Sequence, residues 1–305
     1  MKVMKALIAG IALLGLSAPA AMAAGGSKPL EKGKTELPEW SFEKGPLGMF
    51  GKYDEKSVQR GFQVYVEVCA SCHGLDLLSY RNLGEPGGPF YDAANPDLTE
   101  SQVKAFAAQY IVKDIDDFGE EMERPGRPSD KFVNPYPNKQ AASAANGGAA
   151  PPDLSVMVKA RHGGADYIYR LLTGYPEMEE FDADSNLHFD DGHTHGKLHQ
   201  PAGLYYNPYF AGDTLANWAG DPRHAPYGGY LAMPPQLSDD RVEYMDGTKA
   251  TKEQIAEDVA HFLAWAADPK MENRKSLGVM VMIYLLALAL LVYFSYKAIW
   301  RNVEH

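Results

Sequence analysis

Cys69-Ala70-Ser71-Cys72-His73, read CASCH, is the stretch that decides how this chain folds, and it holds the only two cysteines among 305 residues. C-x-x-C-H is the attachment pattern of a c-type haem. Two cysteines three apart on a helical turn lie on the same side, so each can add its thiol to one haem vinyl group. His73 then projects toward the iron. A thioredoxin-like redox pair would want a βαβ pattern around it, and a four-ligand zinc site would want further cysteines or a second well-spaced pair. Neither accompanies CASCH, so one haem c bound through Cys69 and Cys72 is expected.

The two ends place that haem. Residues 1–23 have the build of a secretory signal peptide: Lys2 and Lys5, an apolar run from Ala6 to Leu16, then Ala21-Met22-Ala23 as a small-residue cleavage site. Leu277 to Tyr296 is uncharged and about as long as a bilayer is thick, which makes 276–298 a transmembrane anchor and 299–305 a short cytoplasmic tail. Residues 24–270 would then be a periplasmic haem domain, with both thiols consumed in an oxidising compartment. The formal net charge of −11 disfavours nucleic acid and favours a basic partner. Acidic residues concentrate in Asp114 to Glu123 and in Glu177 to Asp191.

Between the ends the pattern is mostly α with large loops. Asp54 to Cys72 is expected as the first helix, with Val58, Phe62, Tyr65 and Cys69 on one face. Gly61 inside it suggests that another backbone passes close by. The candidate is Lys252 to Ala267, striped by Ile255, Val259, Phe262, Leu263 and Ala266, opened by a Thr251–Gln254 capping box and closed by Asp268-Pro269. Shorter helices are expected over Leu154 to His162 and Ala165 to Thr173, ended by glycines. Tyr136 to Pro152 and Tyr205 to Pro235 read as loops. A haem wrapped by a few helices would replace much of the side-chain core that so loop-rich a chain lacks.

An iron held by His73 either takes a second axial ligand and carries electrons or keeps an open position for gas binding or catalysis. Met233, in LAMPP, is the leading partner, because Pro234-Pro235 stiffen the loop that must hold its sulfur. Met157 sits between valines on a helix and reads as core. Met178 lies among glutamates and reads as exposed. His162 is the bis-histidine alternative. His188, His193, His195 and His199 are irregularly spaced and read as an exposed loop rather than a metal site.

Several stretches together resemble the cytochrome c1 family, the haem subunits of cytochrome bc1 complexes: VCASCHGLDLLSYRNL (Val68 to Leu83), PPDLSVMVKARHGGADYIYRLLTGY (Pro151 to Tyr175), GLYYNPYF (Gly203 to Phe210) and AMPPQL (Ala232 to Leu237). The resemblance runs from about Gly45 to the C-terminus, and the signal is of bacterial style. It implies a class I cytochrome c-like haem domain with long loop insertions plus one C-terminal transmembrane helix. It assigns thioethers to Cys69 and Cys72, proximal ligation to His73 and distal ligation to Met233. Arg161 would face a propionate, and Tyr167 and Pro152 would line the pocket. Gly61 and Tyr65 stand eight and four residues before the first haem cysteine, as in class I cytochromes, and Phe262 and Leu263 occupy the matching last helix. Ala211 to Tyr230 form a longer loop than the mitochondrial pattern has. Some bacterial relatives brace this region with a disulfide that this chain cannot make, which suggests packing by Trp218 instead.

The function so implied is electron transfer inside a quinol-oxidising complex, from the Rieske iron-sulfur protein to a basic soluble or membrane-tethered cytochrome c. Cytochrome b, membrane lipid and a dimeric complex are the other implied partners. The chain would be a redox carrier without catalysis of its own. A freestanding membrane-anchored shuttle cytochrome and a haem enzyme or sensor with an open iron are the competing expectations.

Overall fold

Gly61 locates the centre of the molecule. The structure, a computed structural model, describes residues 36–190 and 195–302, so the expected signal peptide, His193 and the last three residues lie outside it. Helix α1, Glu55–Val64, opens on Asp54, whose side chain accepts from the amides of Lys56 and Ser57. It runs on as a π-helical turn, Tyr65–Cys69, directly into CASCH. Such turns favour functional positions because they re-aim the side chains that follow. The helix that crosses α1 at Gly61, Lys252–Ala267, spans the expected residues, and its apolar stripe is buried. Only half of its expected capping box forms. The Thr251 hydroxyl accepts from the Gln254 amide (3.2 Å), while the Thr251 amide donates to the Lys249 carbonyl.

Around this crossing, Phe62, Tyr65, Tyr80, Phe106, Phe132 and Phe262 meet in edge-on and tilted ring pairs. Four more helices lie between α1 and the crossing helix: α2 (Pro96–Ala107), α3 (Lys139–Ala145), α4 (Met157–Ala160) and α5 (Gly164–Thr173). The crossing helix is therefore α6, and α5 and α4 both pack on it. Gly163, at φ 90°, lets α5 start immediately after α4. A last helix, α7 (Met271–Ile299), is long and apolar enough to cross a membrane, and it leaves its apolar side chains exposed.

Several expectations need correction. The stretch 136–152 contains α3, where Asn138 caps the Ala141 amide. Helix formation over 154–162 is confined to α4, because Arg161 is already extended. The acidic run is a hairpin of β1 (Ile111–Ile115) and β2 (Glu121–Pro125), turned by Asp116 accepting from Phe118 and Glu120 amides. Arg124 secures it through Asp114 and Asp130. The histidine region is not a loop but strands β3 (Asn186–Asp190) and β4 (His195–His199), joined by β6 (Trp218–Gly220). The stretch 205–235 also holds β5 (Tyr205–Asn207) paired with β7 (Gly229–Leu231). The β4–β6 and β5–β7 pairings join residues 20 to 26 positions apart, and in the two local hairpins a loop-like composition hides the strands.

Candidate cofactor site

The π-helical turn after α1 runs into CASCH, whose last residues close a hydrogen-bonded turn. The Cys72 and His73 amides both donate to the Cys69 carbonyl (3.1 and 2.9 Å), and the Tyr65 hydroxyl donates to the His73 carbonyl (3.1 Å). Both cysteines are free. Burial pushes the Cys69 thiol up to about 12, the reverse of the depressed value that a redox-active C-x-x-C nucleophile needs. Among the described residues no three His, Cys, Asp or Glu side chains gather as a metal cluster.

The His73 ring is oriented from the other side. Its Nδ1 lies 2.7 Å from the Pro152 carbonyl oxygen, an acceptor only, so Nδ1 carries the proton and Nε2 keeps its lone pair. Burial holds the imidazole below its ordinary pKa and therefore neutral, as a metal ligand must be. The segment carrying Pro152 is clamped along the chain that follows His73. Leu154 donates to the Gly74 carbonyl (3.0 Å), and the Asp76 and Leu77 amides donate to Asp153 and to the buried Ser155 hydroxyl (2.7 and 3.0 Å). A side-chain carbon on Gly74 would fall 1.9 Å from Asn134 Oδ1, so a larger residue there would have to displace the Asn134 side chain, which donates to Asp76.

Met233 comes from a separate element, two residues beyond β7, and is half-buried. Its carbonyl oxygen accepts from the hydroxyl of buried Tyr175 (2.9 Å), just past the end of α5. Fully buried Asn207 in β5 donates to the Leu171 carbonyl of α5 (2.8 Å) and accepts from the Tyr209 amide. Tyr205, Tyr206 and Asn207 stand opposite Leu231, Tyr230 and Gly229. Trp218 packs with Leu187, Leu198 and Tyr206, a cluster that also takes in Tyr230 of β7, and its indole donates to the Asp221 carbonyl.

The structure joins His73 to Pro152 and sets Arg161 beside Tyr167, whose phenol is raised by burial and eased back by that guanidinium. Arg161 is exposed, as is His162, while Met157 is core and Met178 is exposed. His188 and His195 pair with Asp182 and Asp190 rather than with each other. Tyr175, Asn207, Asp153 and Ser155 were given no role from sequence, because each acts through a backbone partner dozens of residues away. Two thiols on one turn, an imidazole with a free Nε2 and a thioether on a held loop form a donor set that fits a c-type haem.

The Cytochrome C1 family model matches residues 40–303. The cytochrome c1 of Rhodospirillum rubrum is 40% identical over 295 residues, covering 93% of this chain and 94% of that one. The cytochrome b/c1 of Bradyrhizobium diazoefficiens is 44% identical over 268 residues, 87% of this chain but 35% of that longer protein. The cytochrome b-c1 complex catalytic subunit of Candida albicans is 42% identical over 259 residues, 85% and 76% respectively. A match across nearly the whole described chain, at these identities and around this geometry, means that the chain belongs to the cytochrome c1 family.

Proposed function

We propose that the chain is the haem-carrying, electron-transfer subunit of a ubiquinol-cytochrome c oxidoreductase. The observation that carries this is the Nδ1 bond from His73 to Pro152, which leaves Nε2 as a ready axial donor. Cys69 and Cys72 would tether the haem, and His73 and Met233 would ligate its iron. Arg161 would meet a propionate, and Tyr167 and Pro152 would line the pocket. When bound, haem c supplies a one-electron iron couple, and His/Met ligation sets its potential high. The chain's own work is to hold both ligands and to exclude water. With both positions filled it relays electrons and performs no catalysis alone.

Electrons enter from a Rieske iron-sulfur protein and leave to a basic cytochrome c. The acidic hairpin offers that acceptor Asp116, Asp117, Glu120 and Glu121 around an exposed Phe118, a surface that steers cations toward it. The secretory-type signal at residues 1–23 and the anchor α7 support a haem domain on the periplasmic side of a bacterial membrane. Cytochrome b, lipid and a second copy of the complex are the neighbours. The similarity to a protein named as a cytochrome b-c1 complex subunit supports this assembly.

Purification in detergent through this chain, followed by a redox-titrated spectrum and identification of the accompanying subunits, tests the proposal. A single low-spin haem accompanied by cytochrome b and a Rieske protein is the expected result. A chain that purifies alone would be a freestanding shuttle, and CO binding by the reduced wild type would make the iron site open.

A further inference from the structure

The loop carrying Met233 must hold a flexible three-bond side chain against a metal without any disulfide to stiffen it. Its backbone is pinned at one point that touches the methionine itself, the 2.9 Å bond from the Tyr175 hydroxyl to the Met233 carbonyl. Tyr175 is buried, so its hydroxyl must find an acceptor that the fold supplies. It follows α5 by two residues, and α5 rests on α6. The histidine belongs to the tail of α1, which crosses the same α6 at Gly61. Asn207 ties the next strand, β5, to the same end of α5.

We infer that Tyr175 is a positioning residue for the distal ligand: its hydroxyl fixes the Met233 backbone to α5, so that both axial side chains are placed from a single helix, α6. This rests on the proposed ligation by Met233. The α6 crossing replaces the covalent brace that the loop lacks. Tyr175 touches neither the iron nor the sulfur in this scheme, and acts only through the carbonyl.

The test uses the full-length, haem-loaded chain in its detergent-solubilised complex, with Tyr175→Phe, Met233→Leu and Tyr53→Phe. Tyr53 is the control, because its hydroxyl also donates to backbone carbonyls, those of Ala264 and Asp268 (3.0 and 3.2 Å) at the C-terminal end of α6 rather than on the Met233 loop. The readouts are the weak near-infrared sulfur-to-iron band of the oxidised protein, its loss on warming, and CO uptake by the reduced protein. Tyr175→Phe should keep one haem per chain, lose the band at a lower temperature and bind CO at least threefold more. Tyr53→Phe should match the wild type in both. A band retained in Met233→Leu overturns the ligation and this inference with it. A band lost in Met233→Leu, with Tyr175→Phe indistinguishable from wild type in band and CO uptake, overturns the inference alone. Equal effects in Tyr175→Phe and Tyr53→Phe would reduce the role to general stability and likewise overturn it.

Discussion

A side-chain carbon on Gly61 would lie 1.9 Å from the carbonyl oxygen of Asp258, so the backbones of α1 and α6 touch where they cross. Gly61→Ala has to push the helices apart. Overpacking of this kind costs about 1–3 kcal/mol. A thermal melt should drop by roughly 2–4 °C for each kcal/mol. An unchanged melting temperature would show that the crossing yields freely.

The same crossing buries an ion pair. Arg60 is bidentate to Asp258 (2.8 and 2.9 Å), whose side chain is fully buried, and it also reaches Asp246 (2.9 Å). Removing one partner strands a charge in a low-dielectric site, which typically costs about 3–5 kcal/mol. Arg60→Met, which strands the fully buried Asp258, should therefore destabilise far more than the double replacement Arg60→Met with Asp258→Leu. Chemical denaturation of the three proteins decides it, and equal losses for single and double variants would contradict the stranded-charge argument.

Arg124 draws Asp114 and Asp130 below the ordinary carboxylate range through its hydrogen bonds. A depressed folded value means that the stabilisation is complete above the unfolded value and fades as pH falls toward the folded one. The β1–β2 hairpin should accordingly loosen only as pH drops below about 4, near the unfolded carboxylate value. Amide exchange in residues 111–125 measures this. In Arg124→Met the exchange should already be faster at neutral pH and lose most of its acid dependence.

On the proposed docking face, changing Asp116, Asp117, Glu120 and Glu121 together to Asn and Gln removes four negative charges. Association with a basic cytochrome c should slow by about tenfold or more at low salt. The wild-type and variant rates should converge as salt approaches 1 M, where screening reaches only about 3 Å. Stopped-flow reduction across a salt series reads both, and parallel curves would move the docking site elsewhere.

Loss of the clamp behind His73 should also be visible. Asp153→Ala leaves the amides of Asp76 and Ser155 without their side-chain acceptor. Each lost bond of this kind costs about 1–3 kcal/mol where the donor is shielded from water. The expected outcome is a lower melting temperature with haem still attached, because both thioethers remain. Full stability in this variant would mean that Pro152 is held by the rest of the chain.

What the sequence determined by itself is what short-range chemistry governs. The span of α6 follows from Thr251, the apolar stripe and Asp268-Pro269, all within a few turns of one another. CASCH declares its cofactor because two thiols and an imidazole must share one helical turn. Gly61 announced a close neighbour, and the run 277–296 announced a membrane-length helix. The hairpin at Asp114 is local and is hidden by its charged, loop-like composition. The pairings of β4 with β6 and of β5 with β7 belong to the tertiary structure, because they join residues 20 to 26 positions apart. So does the brace on Met233. A tyrosine hydroxyl 58 residues before its acceptor carries no periodicity, and only the packing of α5 on α6 brings the two together, since a buried donor must find whatever acceptor the fold places beside it.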